Sequence, residues 1–166
     1  MDEIIKLDNL TKVLEDFAIE LEAEYKRNLK EHKRIATGNL YNTAKCEVVK
    51  GEYLVVFHLQ DYWRYVEGGR GATKNDGDGS LRRKILEWIE VKHILPQPKN
   101  GKLPTPEQLS YAIANKLHKK GYKGTQDLSN ATDTIWDKFK EQIYEAIDKD
   151  FTSAIISIFK LKPINI

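Results

Sequence analysis

The sequence predicts an α+β fold: a small antiparallel β-sheet, built on a hairpin over residues 44–59 with an extra strand expected, packed by long amphipathic helices. Three observations predict it. Leu7, Leu10, Leu14, Phe17 and Leu21, continued by Tyr25 and Leu29, recur at steps of three and four, which places them on one face of a helix. Ile135, Trp136, Phe139, Ile143, Tyr144, Ala146, Ile147 and Phe151 repeat that spacing late in the chain. Between them lie two short runs rich in β-branched and aromatic residues.

The first helix is expected to start at Asp8 or Asn9, whose side-chain oxygens suit the N-cap, and to run to about Arg34. Its other face carries Lys12, Glu15, Glu22, Lys26, Lys30 and Lys33. Such a helix, ~38 Å long at 1.5 Å per residue, outspans a short hairpin, so its stripe needs a further partner: the C-terminal helix or a second copy of the chain. Thr37-Gly38-Asn39-Leu40 then breaks the helix and opens a short turn through Asn42.

Lys45–Lys50 and Glu52–Leu59 form the hairpin, with Lys50-Gly51 as its turn. Alternation places Cys46 and Val48 on one face and Tyr53, Val55, Phe57 and Leu59 on one face of the second strand. Leu54 and Val56 point the other way, so both faces are expected to be covered. Tyr62, Trp63, Tyr65 and Val66 follow and are expected to plug the end of the core, since aromatic side chains dominate core burial.

Residues 68–79 contain five glycines and little apolar surface, which predicts a flexible surface loop. Ser80 is expected to cap a helix whose apolar side is Leu81, Ile85, Leu86, Trp88 and Ile89, ending before Pro96. A connector with three prolines leads to Thr105-Pro-Glu-Gln108, where a cap, a proline at the first helical position and the glutamine of a capping box stand in register. Leu109, Ala112, Ile113 and Leu117 are assigned to its buried side, and Gly121 and Gly124 to its end. The run Ala154–Phe159 suits a helix or a strand, Pro163 ends either, and 160–166 reads as a tail. A two-stranded hairpin alone is marginal in water, hence the expected extra strand.

At 166 residues a single domain over 1–166 is expected. No apolar run approaches the ~20 residues of a membrane-spanning helix. The first residues lack the basic and apolar blocks of a secretory leader, which implies folding in a cytoplasm. The lone Cys46 excludes an intrachain disulfide or a thiolate metal cluster and reads as a small buried strand residue. A formal charge of +2 argues against nucleic-acid binding by the whole surface and leaves two local basic runs, Arg82-Arg83-Lys84 and Lys116–Lys123.

Catalytic patterns are missing from the sequence. The four histidines, His32, His58, His93 and His118, stand far apart without metal-ligand spacing. There is no nucleophile elbow, no phosphate-binding loop signature, and no EF-hand ladder around Asp76-Gly77-Asp78. Neither an enzyme nor a cofactor is expected.

The order of elements matters more than any one of them. A long charged helix closed by Thr37-Gly38-Asn39-Leu40, a hairpin, and Tyr62-x-x-Tyr65-Val66-Glu67-Gly68-Gly69 resemble the neck and tail-completion proteins of tailed bacteriophages. In these proteins Thr-Gly-Asn/Arg-Leu closes the first helix and Tyr-x-x-x-Val/Ile-Glu-x-Gly follows the hairpin. The likeness spans about residues 8–150. One departure is Lys33-Arg34-Ile35-Ala36, where that family commonly carries a proline.

The resemblance implies a non-enzymatic virion protein made in the host cytoplasm. It would form a six- or twelve-fold homo-oligomeric ring at the head-tail connector, against adjoining portal, neck or tail proteins and around genomic DNA. On that reading Arg64, Arg70, Lys74, Arg82, Arg83 and Lys84 are the candidate interface or channel residues, making sliding contacts to phosphate. The alternative is a small nucleic-acid-binding module using Tyr62, Trp63, Tyr65 and the basic runs.

Overall fold

The computed structural model describes residues 6–35, 37–73, 78–98, 101 and 103–160. The fold is α+β, as the sequence predicts, and the chain divides into two compact units, each assembled from separated segments.

The first unit comprises residues 1–28, 44–59 and 128–166. It contains most of helix α1 (Asp8–Glu31), strands β1 (Lys45–Val49) and β2 (Leu54–His58), and nearly all of helix α6 (Asp127–Lys160). The α1 stripe is covered within this unit: Leu10, Phe17, Leu21 and Tyr25 are buried, together with Ile135, Phe139, Ile143 and Ala146 of α6. Phe17 meets Phe139 edge to face at 5.8 Å, and Tyr25 meets Phe57 of β2 at 5.2 Å. Each large side chain buried this way contributes ~1.5–3 kcal/mol. The helix pair therefore supplies more of the core than two five-residue strands can.

The hairpin pairs Cys46 with Phe57 and Val48 with Val55, which puts these four side chains on one face. Val49 opposes Leu54, so the connection spans residues 50–53 and is twice as long as a Lys50-Gly51 turn. Gly51 and Tyr53 both take positive φ, at 87° and 52°. The longer loop sends the Tyr53 hydroxyl to accept from the Leu7 N–H at 3.1 Å. The second face is less covered than expected, with Leu54 50 % exposed.

Among the described residues no third strand joins this sheet; residues 154–159 continue α6. The additional strands, β3 (Gly69–Arg70) and β4 (Tyr122–Lys123), pair with each other in the second unit.

That unit comprises residues 29–43 and 60–127: helices α2 (Asn39–Thr43), α3 (Trp63–Gly68), α4 (Ser80–Val91) and α5 (Pro106–Lys120), with β3 and β4. Ile85 and Ile89 of α4 pack with Ala114 of α5, flanked by Leu81, Ile94, Leu109, Ile113 and Leu117. The buried side of α5 is rotated from the expected stripe: Ser110, Ala114 and His118 lie inside and Ala112 is exposed. The capping box forms, with Thr105 Oγ1 accepting from Gln108 N–H at 3.3 Å and Gln108 Oε1 from Thr105 N–H at 3.0 Å. At α4 the N-cap is Gly79 and not Ser80; Asp78 Oδ1 accepts the Ser80 N–H at 2.9 Å.

Two further expectations are corrected here. The aromatic residues after the hairpin do not plug a core: α3 has no buried residue, and Tyr62 and Tyr65 are 42 % and 56 % exposed. Nor is 68–79 loose throughout. Gly69 and Arg70 form β3, and Thr73 donates its N–H to His118 O at 2.8 Å while its hydroxyl meets His118 Nδ1 at 2.6 Å. The β3–β4 crossing leaves no room for side chains: a Cβ at Gly69 would lie 2.2 Å from Tyr122 O, and one at Gly124 would lie 1.9 Å from Glu67 O. Residues 74–77 and the tail beyond Lys160 lie outside the described residues.

Candidate functional site

The second unit brings together two segments that the sequence keeps apart. After α1, Lys33 takes φ 54° and the Arg34 N–H donates to Leu29 O at 2.8 Å, a left-handed closure of the helix end. The chain then turns through Thr37-Gly38 into α2. Arg34, Thr37–Tyr41 and Tyr62 line one cleft of about 140 Å3. The motif that closes α1 and the aromatic residue that opens the second motif are thus neighbours in space. Leu40 is the buried anchor of α2, and the Lys30 ammonium stands 5.0 Å from the Tyr41 ring centre.

In the same unit, β3 and β4 place Arg70 opposite Tyr122, so their side chains share a face of the ladder. Burial raises the pKa of the Tyr122 hydroxyl above its ordinary value, while the nearby positive charges of Arg34 and Arg70 pull the other way. Arg34 lines the cleft with Tyr62, and Arg70 faces Tyr122 across the ladder. Among the described residues neither Arg34 nor Arg70 has an ion-pair partner.

The other arginines predicted from the sequence are distributed differently. Arg64 is exposed on α3, 5.9 Å from the centre of the Trp63 ring, and Arg82 on α4 stands 5.9 Å from that of Tyr111. Arg82 and Arg83 have acidic company: they help to hold Glu107 and Asp78 below the ordinary carboxylate range, after the hydrogen bonds from Thr105 and Ser80 respectively. Lys84 is exposed on α4, and Lys74 lies outside the described residues. Of the five that are described, Arg70 alone lies on the β3–β4 ladder, opposite Tyr122. Arg34 itself escapes sequence reasoning, because nothing local distinguishes it from a helix-end cation.

Charge is also divided between the units. The second unit holds 16 Lys and Arg against 9 Asp and Glu, a formal +7, whereas the first holds 11 against 16, a formal −5. The chain total of +2 hides this separation.

Searches of protein-family models, curated proteins and solved structures find no match to this chain. The site is accordingly read from its own chemistry. Among the described residues no group of three metal-ligating side chains comes together, and no helix is long and apolar enough to cross a membrane. Three histidines gain partners that spacing did not reveal: His32 Nδ1 meets Asp127 Oδ1 at 2.5 Å, His58 Nε2 meets Glu47 Oε1 at 3.0 Å, and His118 binds Thr73. Asp127 is fully buried and its second oxygen accepts from the Thr125 hydroxyl at 2.5 Å. That geometry ties the end of α1 to the start of α6.

Proposed function

We propose that this chain is a structural subunit of a tailed-phage virion, placed in the neck or tail-completion region, where copies form a six- or twelve-fold ring around the DNA channel. The order of motifs quoted above suggests the family. One observation carries the structural-subunit reading. Among the described side chains of α6, Asp150 is the last that is buried; beyond it the helix continues through Phe151, Ile155, Ile156, Ile158 and Phe159, all between 48 % and 77 % exposed.

Residues 151–159 carry no charge. An apolar end of this kind is costly in water and suits a surface that assembly covers. The surplus first expected along α1 is satisfied inside the chain, so support for oligomerisation rests on α6. Identical neighbours in a closed ring bury such a surface without leaving an open end.

The test is the mass of the purified full chain, together with its incorporation into assembled particles. Serine at Phe151, Ile155 and Phe159 is expected to leave the monomer folded, because these side chains are exposed, and to abolish incorporation. Particles that still take up the triple variant, or a chain with no place in particles at all, would count against the reading.

A further inference from the structure

The +7 of the second unit raises the question of what anion it meets. The answer lies in which cations are free. Arg82 and Arg83 already stand near Glu107 and Asp78, so an incoming anion gains less there. Arg34 and Arg70 have no ion-pair partner among the described residues; Arg34 lines the cleft with Tyr62, and Arg70 stands opposite Tyr122 in the β3–β4 ladder. Two guanidinium groups without an ion pair suit tetrahedral or forked anions, because each presents a planar set of N–H donors.

The surroundings narrow the ligand further. Tyr62 lines the cleft with Arg34, Tyr65 on α3 precedes Arg70 by five residues, and both tyrosines are substantially exposed. Aromatic faces open to solvent beside unpaired arginines serve poorly as a core and well as a platform for bases. Stacking on such a platform is worth ~1–3 kcal/mol per base and is indifferent to sequence.

We infer that the second unit binds single-stranded nucleic acid, with backbone phosphates on Arg34 and Arg70 and bases stacked on Tyr62 and Tyr65. This inference does not rest on the virion reading, since a lone chain carries the whole site.

The experiment uses the full chain and a fluorescein-labelled oligothymidine strand, followed by anisotropy across a salt series. The wild type binds with an affinity that falls steeply with salt. Replacing both arginines, Arg34→Gln with Arg70→Gln, weakens binding at least tenfold and lowers the salt slope by roughly 1.4, two phosphate contacts at about 0.7 each for a single strand. Arg34→Glu alone, at an exposed position, gives the same direction and guards against a folding defect at the half-buried Arg70. Tyr65→Ala weakens binding with the slope unchanged, as loss of stacking without loss of a phosphate contact requires. Lys138→Gln and Lys140→Gln in the acidic unit have no effect.

Binding unaffected by the arginine changes, or absent at low salt, overturns the inference. So does a wild-type chain that associates with itself at low salt through these arginines while ignoring the oligonucleotide, which would assign them to the acidic unit of a second copy. Inorganic phosphate competing as well as the strand does would reduce the site to a simple anion pocket and also reject the stacking assignment. None of these outcomes depends on incorporation into particles, so they are separable from the ring test.

Discussion

Asp150 of α6 caps α1 from 140 residues away in sequence: its Oδ2 accepts the Leu10 N–H at 2.9 Å. Its Oδ1 takes the Asn9 N–H at 3.2 Å and the Asn9 side-chain amide at 2.6 Å. The cap that local sequence assigns to Asp8 or Asn9 is thus supplied by a distant carboxylate, which satisfies open N–H groups and complements the positive helix end.

This contact predicts a stability that depends on pH. Burial opposes ionisation of Asp150, but the Leu10 amide, the Asn9 side chain and the Asn9 amide outweigh it and hold the carboxyl below its ordinary value. A group depressed in the folded state stabilises above its unfolded pKa and loses that contribution as pH falls through the folded one. Asp150→Ala is expected to cost about 1–3 kcal/mol near neutrality, with the gap to wild type closing as the pH drops below the usual carboxylate range. Urea denaturation at several pH values checks it; a gap that widens in acid contradicts the assignment.

The β3–β4 crossing predicts a sharp difference between adjacent glycines. Gly69 has φ 80° and its Cβ position lies 2.2 Å from Tyr122 O, whereas a Cβ at Gly68 meets nothing within 4 Å. Backbone cannot yield as a flexible side chain does, so Gly69→Ala and Gly124→Ala are expected to exceed the common range and cost roughly 4 kcal/mol or more. Gly68→Ala, at the end of a helix, stays within about 1 kcal/mol of wild type. Thermal melts of the three variants decide the matter, and equal losses at Gly68 and Gly69 would show the crossing to be looser than described.

These two sites also mark what was legible in the sequence. The elements themselves follow from local rules: periodicity gives α1 and α6, alternation gives the hairpin, and Thr105-Pro106-Glu107-Gln108 gives the start of α5 through groups three residues apart. What escaped depends on distant partners. Asp150 reads locally as one more charge on a helix, Gly121 and Gly124 read as helix terminators when they are also points of backbone contact, and Arg34 acquires meaning only in the cleft it lines with Tyr62. Exposure escapes local rules for a related reason. Tyr62 and Tyr65 are apolar enough for a core, but the short α3 turns them outward.

Cys46 offers a chemical test of the hairpin. Its thiol is 7 % exposed; burial, reinforced by the negative charge of Glu22, pushes its pKa up to about 11. Glu22 is fixed there by Lys26 at 2.7 Å and by the Cys46 N–H at 3.0 Å. Since the thiolate is the reactive species, the folded chain should resist iodoacetamide at pH 8 and react fully once unfolded in urea. Rapid alkylation without denaturant would place Cys46 outside the core.

Burial should also separate the two histidine–carboxylate pairs. Asp127 is fully buried, so His32→Ala takes one partner from a carboxylate with no direct access to water, though Thr125 still serves its other oxygen. A hydrogen bond to a charged group is worth about 1.5–3 kcal/mol, and that loss is expected in chemical denaturation. His58 and Glu47 are 55 % and 43 % exposed, and water replaces whatever partner is removed. His58→Ala is therefore expected to leave the denaturation midpoint where it is. A His32 variant as stable as the wild type would mean that the contacts remaining to Asp127 already hold the start of α6, and that the pair closing α1 onto it is dispensable.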